Sequence, residues 1–420
     1  MAKTDQTQSE TRAAGLGTNF YKLWVASGIS NFGDGVRLTA MPLLAATITR
    51  DPLLVAGVSF AGSAPWLLFA LVAGAIVDRV DRRTMMWSVQ VFRMGLMGVL
   101  SAAILMGSDG MVLLALLYLV AFLLGIGETL FDNAAQTIMP SVVRKDQLQV
   151  ANGRLYAAEE VTNRFAGPPV GGFLFVAAVA LPFLFDAVTF GLGALLIFAM
   201  AGSFTPSRAA ASPTKIRHDI AEGLRWLWRH KLLRTLGIMT GVFNLTGFAT
   251  FSIFVLYVLE ILGLSETGYG LLLAITAAGG VIGSLVAPRL ARLFGDGQSF
   301  YIIIGMGVIE ALAIGLTSSP VVVTVAMITA GLGAMWWNVI AVALRQSIVP
   351  DHLLGRVNSV YRLLAWGTMP VGAAIGGFMG NAFGLRSPYF FAAAVLVMLG
   401  VAIIPIVSNR SIAQARAEAD

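Results

Sequence analysis

The chain has 420 residues, of which 57% are hydrophobic and only 12% are charged. A soluble domain carries about 25% charged residues, so this composition excludes an ordinary soluble protein. The net charge of +6 is expected to reflect basic loops at a membrane surface, and no nucleic acid partner is expected. The absence of cysteine excludes disulfides and cysteine ligands for a metal ion. We expect neither a metal site nor a cofactor.

Apolar segments of about 20 residues follow one another along most of the chain, and each is long enough to cross the hydrocarbon core as a helix. The sequence therefore predicts an all-α membrane protein. The predicted spans are 21–48, 53–77, 85–105, 111–139, 151–176 and 182–201, followed by 233–259, 267–287, 300–316, 321–348, 360–379 and 390–407.

A segment rich in Ser, Pro and basic residues, 203–219, separates the two sets of six spans. Such a composition is typical of a linker. The stretch 220–233, in which Trp226 and Trp228 flank basic residues, predicts an amphipathic helix lying in the headgroup layer. The predicted organisation is a cytoplasmic tail at 1–20, a six-helix bundle at 21–202, a linker with its interfacial helix at 203–232, a second six-helix bundle at 233–408 and a cytoplasmic tail at 409–420.

Basic residues are distributed unequally between the two sides of the predicted bundle. The loops on the side of the termini and the linker hold most of the Lys and Arg residues, whereas the opposite side has only Arg50 and Arg386. Cytoplasmic loops carry the excess of Lys and Arg in membrane proteins. We therefore expect both termini and the linker in the cytoplasm, and a location in a bacterial cytoplasmic (inner) membrane.

The two halves of the chain repeat a short pattern. The fourth span ends in the segment 135–140, Ala-Gln-Thr-Ile-Met-Pro, and the tenth ends in 345–350, Arg-Gln-Ser-Ile-Val-Pro. Asn152 and Asn358 follow at matching places, and Gly and Pro residues recur in the fifth and eleventh spans. Internal duplication of this kind is typical of secondary transporters.

The loop between the second and third spans combines a glycine, an acid and arginines. These residues are Gly74, Asp78, Arg79, Arg82 and Arg83. The segment resembles the GxxxDRxGRR loop signature of the major facilitator superfamily, although Asp81 stands where that signature has glycine. The resemblance implies the major facilitator fold, with twelve transmembrane helices in two pseudo-symmetric six-helix bundles. It also implies a monomer and a loop that latches and releases the cytoplasmic side.

The fifth span contains a second signature, formed by Gly167, Pro168, Gly171 and Gly172. It resembles the GPxxGG antiporter motif of exporters in that superfamily. Proline removes a backbone donor and kinks the helix, while glycine lets a neighbouring helix approach closely. An ordinary kinked and tightly packed helix is the alternative interpretation.

Other segments are similar to the branch that contains enterobactin exporters, macrolide efflux proteins and Tap-like multidrug pumps. They are 31–35 in the first span, 131–133 and Pro140 in the fourth, 222–228 before the seventh and 354–358 before the eleventh. The resemblance to the superfamily covers nearly the whole chain, whereas the resemblance to the branch is confined to these segments. It does not transfer a substrate.

Ionisable side chains occur inside several predicted spans. A charge at a helix centre costs at least about 2.5–3.5 kcal/mol on the insertion scale, so each should face protein or a watery cavity. The pairs Asp34–Arg37 and Glu160–Arg164 are as compatible with structural ion pairs as with function. Asp186, near the end of its span, is expected to be a cap or a surface group.

A carboxyl group that is exposed alternately to the two sides of a membrane can carry a proton. The proton-coupling candidates are Asp34, Glu128, Asp132 and Glu310, and their candidate charge partners are Arg37, Arg93, Arg164, Arg345 and Arg362. Glu128 and Asp132 have no cation within one turn of their own helix.

Aromatic, Met and Asn side chains of the spans are candidates for lining an adaptable substrate cavity. The principal candidates are Phe131, Asn133, Asn244, Trp336, Trp337 and Asn338, and the wider set adds Trp66, Phe69, Phe243, Phe248, Phe251 and Met335. Such residues more often pack helices together or face lipid, so this alternative stays open.

The sequence predicts a secondary exporter of small, amphipathic molecules, such as drugs or siderophore-like compounds. No GxxxxGK[ST] phosphate loop is present, so protons are the expected energy source, exchanged for substrate by alternating access. A lipid or lysolipid flippase and a metabolite importer on the same fold are the alternatives. An enzyme is not expected, because the chain has no HExxH motif, no G-x-S-x-G elbow and no Cys/His constellation.

Overall fold

A computed structural model of the chain describes residues 15–77, 79–202, 204–205 and 216–418. The described part is built from helices in the order that the sequence predicts. The first five spans are Thr18–Ile48, Pro52–Val77, Arg82–Leu105, Gly110–Val142 and the composite Leu148–Glu159, Glu160–Ala166 and Gly167–Ala177. The sixth span is Leu181–Phe198.

The second half repeats this arrangement after an interfacial helix, Ile216–Arg229. Its spans are the composite Lys231–Phe251, Phe254–Leu256 and Tyr257–Ile261, then 266–294, 296–316, Pro320–Ile348, the composite Asp351–Trp366 and Thr368–Phe383, and finally Ser387–Ile403. A short helix, Asn409–Ala417, follows the twelfth span. Among the described residues, eight helices are long and apolar enough to cross a membrane by themselves.

The eighth and ninth spans, 266–294 and 296–316, follow each other directly and are separated only by the non-helical Gly295, where the chain bends. The eighth span thus extends past its predicted end at Ala287. Gly295 has a φ of 76°, which glycine adopts without the strain that a Cβ would cause. The Asn409 side chain accepts a hydrogen bond from the backbone N–H of Gly297 at 2.7 Å and donates one to the carbonyl of Phe294 at 3.1 Å. The C-terminal helix is thereby fastened to the bend.

The fifth span contains a π-helical segment, Glu160–Ala166, directly before the predicted kink. Pro168 and Pro169 have no backbone N–H, so the ordinary α-helical ladder cannot continue through them. The backbone N–H of Gly167 instead reaches the carbonyl of Thr162, five residues earlier. A π-helical turn widens a helix locally and is found mostly at functional sites.

The helices pack as two halves whose contacts are related by the internal repeat. The first span packs against the fifth and sixth, and the seventh packs in the same way against the eleventh and twelfth. Between the halves, the second span contacts the eleventh and the fifth contacts the eighth. These two interfaces exchange when the halves are exchanged, so the described helices confirm the predicted pseudo-symmetry.

We call the side that carries the interfacial helix and the C-terminal helix the linker side, and the other the far side. On the far side a single apolar cluster is built from both halves, with residues such as Leu44 and Val55 from one and Val255 and Leu272 from the other. On the linker side each half has its own cluster. The halves are therefore joined on the far side and separate on the linker side.

Glycine lets helices within a half approach to backbone contact. Gly376 in the eleventh span lies so close to Ala249 in the seventh that a Cβ on Gly376 would overlap the backbone oxygen of Ala249. In membranes, association of helices depends on such close packing because lipid is as apolar as the helix surface.

Replacing Gly376 by alanine should therefore destabilise the protein. We expect Gly376→Ala to lower the stability by about 1–3 kcal/mol, the usual cost of overpacking. The midpoint of thermal unfolding of the purified protein in detergent measures this change. Gly305→Ala is the matched control, because nothing lies within 4 Å of a Cβ at Gly305. Equal midpoints for the two variants would contradict the proposed contact.

Candidate functional site: a charged cavity between the two halves

A cavity of about 370 Å³ lies between the two halves near the middle of the bundle. The first half contributes all of the polar and charged groups, and both halves contribute aromatic and apolar groups. The polar lining consists of Asp34, Arg37, Ser59, Ser63, Glu128, Asp132, Glu159 and Asn163. The aromatic and Met lining consists of Met41, Trp66, Phe248, Phe251, Trp366 and Met369.

Contacts between the halves close the far side above this cavity. Asn381 donates a hydrogen bond to Asp51 at 2.8 Å, and Arg50 lies 3.8 Å from Glu260. A Cβ on Gly172 would lie 2.6 Å from the backbone oxygen of Glu266. On the linker side, by contrast, the two halves have separate apolar clusters.

Two aspartates and two arginines form a buried ionic cluster at the base of the cavity. Asp34 accepts hydrogen bonds from Arg37 and from Arg93, both at 2.6 Å. Arg37 also lies 3.3 Å from Asp186, whose side chain is fully buried. The Arg93 guanidinium stacks on the ring of Phe190 at 4.1 Å. The cluster joins the first, third and sixth spans, and its formal charges cancel.

The prediction that Asp186 is a cap or a surface group is therefore wrong. Its carboxylate faces Arg37 in the interior and also accepts a hydrogen bond from Thr189 at 3.3 Å. Sequence position alone placed Asp186 near a helix end, where caps are common. Its partner, Arg37, lies about 150 residues earlier in the chain, in the first span. Only tertiary packing brings the two residues together, so the sequence alone could not pair them.

Three other carboxylates line the cavity without a close ion pair. The Glu128 carboxylate is 3.9 Å from Arg37, and its side chain is 42% exposed. Asp132 lies one turn further along the fourth span, and Glu159 lies at the end of the helix before the π-helical segment. Among the described residues, Glu128, Asp132 and Glu159 accept no hydrogen bond.

The second half faces these acids with a single arginine. Arg362 interacts electrostatically with Asp132, and its guanidinium lies 4.3 Å from the centre of the Trp366 ring. Arg345 stacks in the same way on Tyr361 at 4.2 Å and does not line the cavity. Arg164 lies 3.6 Å from Glu160 and is 62% exposed, so this pair is present at the edge of the site.

Glu310 lies apart from the other proton-coupling candidates. It stands in the ninth span near Tyr389 and is not among the residues that line the cavity. Within the described part of the chain it has neither a hydrogen bond nor an ion pair. The structure thus brings Asp34, Glu128 and Asp132 together and leaves Glu310 elsewhere in the second half.

Several aromatic candidates pack helices instead of lining the cavity. Phe131 belongs to the linker-side cluster of the first half, and Trp336 is 2% exposed within the corresponding cluster of the second half. Trp337 packs against the rings of Phe243 and Phe300. Asn133 donates to the carbonyl of Thr129 on its own helix.

The remaining predicted lining residues divide between those at the cavity and those away from it. Asn244 and Asn338 are not among the lining residues. Trp66, Phe248 and Phe251 are among them, as is Trp366, which the sequence interpretation did not single out. The sequence could have indicated Trp366, because it lies four residues after Arg362 and this spacing puts both side chains on one helix face.

The loop after the second span is tied to the end of the sixth span. Asp81 accepts hydrogen bonds from the backbone N–H groups of Thr84 and Phe204 at 2.9 and 2.8 Å, and Arg83 donates to the carbonyl of Met200. Partial burial opposes ionisation of Asp81, but these hydrogen bonds outweigh it and lower its pKa below the ordinary value. Gly74 lies in the second span, and Asp78 lies outside the described residues. Of the arginines in this loop, Arg79 is exposed and Arg82 begins the helix of the third span.

The glycines of the GPxxGG segment are contact points for two other spans. Gly167 and Gly171 meet the first span at the backbone of Gly35 and Val36. Gly172 meets the start of the eighth span, and Pro168 contacts Gly270 of that span. One face of this segment therefore contacts the first span of its own half, and another face contacts the eighth span of the second half.

Twelve spans in two pseudo-equivalent halves, with a central charged cavity closed on one side, define a transporter of the major facilitator class. The whole described architecture agrees with the resemblance carried by the loop signature. The chain belongs to the family of transmembrane secretion effectors in this superfamily, whose family model matches residues 13–419. It is a multi-pass membrane transporter of small molecules and not an enzyme.

Curated relatives with similar sequences include efflux proteins. The multidrug efflux pump Tap of Mycolicibacterium fortuitum is 26% identical over 391 residues, which cover 89% of this chain and 91% of that protein. Macrolide efflux protein A of Streptococcus pyogenes is 20% identical over 412 residues, which cover 93% of this chain and 96% of that protein.

Solved structures share the fold at low sequence identity. A bacterial homologue of the iron transporter ferroportin in its inward-facing state is 18% identical, covers 92% of this chain and 98% of its own, and superposes with a TM-score of 0.73. The outward-facing state of that homologue gives a TM-score of 0.62.

The ionic cluster predicts unequal costs for removing single carboxylates. Asp34→Asn leaves Arg93 buried without a counter-charge, which should cost about 3–5 kcal/mol. Asp132→Asn breaks no ion pair and should change the stability little. Thermal unfolding in detergent compares the two variants, and Asp34→Asn combined with Arg93→Met should recover part of the loss. Equal stability of Asp34→Asn and Asp132→Asn would show that the cluster does not hold the spans together.

The far-side closure predicts a specific cross-link. The chain has no cysteine, so Asp51→Cys with Asn381→Cys supplies the only thiol pair. Because these side chains are in hydrogen-bond contact across the halves, an oxidant or a short bifunctional reagent should join them and stop transport, and reduction should restore it. Each single cysteine variant is the control. Transport that continues at full rate in the cross-linked protein would contradict an opening of the far side during the cycle.

Proposed function

We propose that the protein exports amphipathic small molecules, drugs among them, by alternating access and in exchange for protons. The observation that carries this proposal is a set of carboxylates without a close ion pair, Glu128 and Asp132 foremost, in a cavity between two pseudo-equivalent halves. The efflux function named for the relatives and the family of secretion effectors supports the outward direction.

The distribution of basic residues assigns the linker side to the cytoplasm. Arg50 and Arg386 are the only Lys or Arg residues in the far-side loops. In this orientation the structure corresponds to the inward-facing state, and the cavity takes up substrate from the cytoplasm or the inner leaflet. Rocking of the halves then opens the far side and closes the linker side, and the GPxxGG segment lies at the contact between them.

Glu128 and Asp132 suit a proton better than Asp34 does. Protonation of Asp34 would weaken two close contacts with arginines, whereas Glu128 and Asp132 have no close ion pair to lose. A group that gains and loses a proton without disturbing helix packing can respond to the side of the membrane that it faces. In this scheme Asp34, Arg37, Arg93 and Asp186 hold the first half rigid, and Arg362 responds to the charge of Asp132.

The proton gradient is an adequate energy source for this task. One proton that moves down about 100 mV supplies roughly 2.3 kcal/mol. Since about 1.4 kcal/mol corresponds to a factor of ten, this supports a substrate gradient of roughly fiftyfold. The described part of the chain has no cluster of His, Asp and Glu residues that could hold a metal ion, so a metal-coupled scheme has no support here.

Inverted membrane vesicles test the direction and the coupling together. With a proton gradient imposed, the unmodified protein should accumulate a fluorescent drug inside the vesicles. Asp132→Asn and Glu128→Gln should lose this accumulation but retain exchange of labelled for unlabelled drug, since exchange needs no net proton movement. Asp146→Asn is the matched control, because Asp146 is an exposed acid that pairs with Arg144 outside the cavity.

Accumulation by Asp132→Asn and Glu128→Gln at the rate of the unmodified protein would sink the proposed proton role. Export appears as uptake in inverted vesicles and as loss of drug from right-side-out vesicles. Measuring this loss is therefore an independent check of the direction. Net uptake into right-side-out vesicles would instead favour an importer.

A further inference from the structure

The two walls of the cavity differ in chemistry. The fourth and fifth spans present Glu128, Asp132 and Glu159, and the second, seventh and eleventh spans present aromatic rings. Trp66 and Trp366 meet at 4.2 Å between ring centres, so the second and eleventh spans supply one continuous aromatic surface. A molecule that fills this cavity must offer apolar surface to one wall and charge or polar groups to the other.

The charge of the acidic wall is not balanced within the cavity. Arg37 and Arg93 are used by Asp34 and Asp186, with which they make the short contacts described above. Of the three remaining carboxylates, Asp132 interacts with Arg362. Glu128 lies 3.9 Å from Arg37, which already serves the two aspartates, and Glu159 interacts with Arg164, which pairs with Glu160. Two negative charges are therefore left over when all of these groups are ionised.

The aromatic wall already accommodates a cation. The Arg362 guanidinium lies 4.3 Å from the centre of the Trp366 ring, a distance at which a cation is attracted by the electron-rich ring face. The neighbouring rings of Trp66, Phe248 and Phe251 have no cation of this protein on their faces within the described residues. They offer the same kind of surface to a cationic ligand.

We infer that the cavity selects organic cations that carry apolar or aromatic groups and rejects anions of the same size. This inference rests on the proposed export function and names its substrate class. The excess of carboxylates attracts a positive charge, and like charge repels an anionic molecule. Anionic compounds of the siderophore type are therefore poor substrates, although the resemblance to enterobactin exporters suggests them.

A pair of ions with one shape and opposite charge tests this selection. Tetraphenylphosphonium and tetraphenylborate are four-ring ions of nearly the same size. Equilibrium dialysis against the full chain in lipid nanodiscs, with empty nanodiscs subtracted, measures the binding of each. We expect the cation to bind at least about tenfold more tightly than the anion, a factor that corresponds to ~1.4 kcal/mol.

Variants assign this preference to the acidic wall. Glu128→Gln with Asp132→Asn should lower the preference for the cation by at least about tenfold. Glu159→Gln is a second, independent variant in case the double variant does not fold, and it should lower the preference in the same direction. Asp146→Asn should leave the preference unchanged, since Asp146 does not line the cavity.

Two results would overturn the inference. One is binding of tetraphenylborate as tight as that of tetraphenylphosphonium. The other is a preference that stays unchanged in every folded cavity variant. Failure of the proposed function has a different signature: no compound of either charge moves in the vesicle assay, whatever the binding preference. Proton-driven export of anions with equal efficiency would keep the exporter and remove the charge selection.

Discussion

The rest of the structure depends on how the first half satisfies charge in a medium without water. Asp34 and Asp186 would each be costly as isolated buried carboxylates, and Arg37 and Arg93 would be as costly as isolated cations. Together they form contacts of 2.6 to 3.3 Å that join the first, third and sixth spans. Because this cluster consumes both arginines, the acids of the fourth and fifth spans are left to face the cavity. The paired charges of this cluster thus lie close to the carboxylates that face the cavity without a close ion pair, but remain distinct from them.

The sequence predicted the fold well because span length and basic loops are local signals. It also found the residues of the ionic cluster as charges within spans, but it could not pair Arg93 with Asp34, which is 59 residues away. Phe131 illustrates a second limit. Neighbouring residues of a helix differ by about 100° in direction, so Phe131 and Asp132 do not face the same side. Asp132 faces the cavity, and Phe131 packs into the core of its own half.

The internal repeat explains the architecture and, by its departures, the chemistry. The second span meets the eleventh and the fifth meets the eighth, as a duplicated six-helix unit requires. At the matched positions of the fourth and tenth spans, however, Asp132 lines the cavity while the tenth span has the uncharged Val342. All of the acids that line the cavity therefore lie in the first half, whereas the aromatic lining comes from Trp66 of the first half and from Phe248, Phe251 and Trp366 of the second. A symmetric scaffold thus encloses a cavity with two unlike walls.

The contacts that must break during transport differ in kind from those that must persist. Within the first half, buried ions bind one another, and separating them would expose unpaired charge to lipid. Between the halves, the far side is closed by the shared apolar cluster and by close glycine contacts: Gly172 at Glu266, Gly270 at Pro168 and Gly377 at Ala56. Such contacts are close but leave no buried charge behind when they part. The halves can consequently separate on the far side while each half retains its own interior.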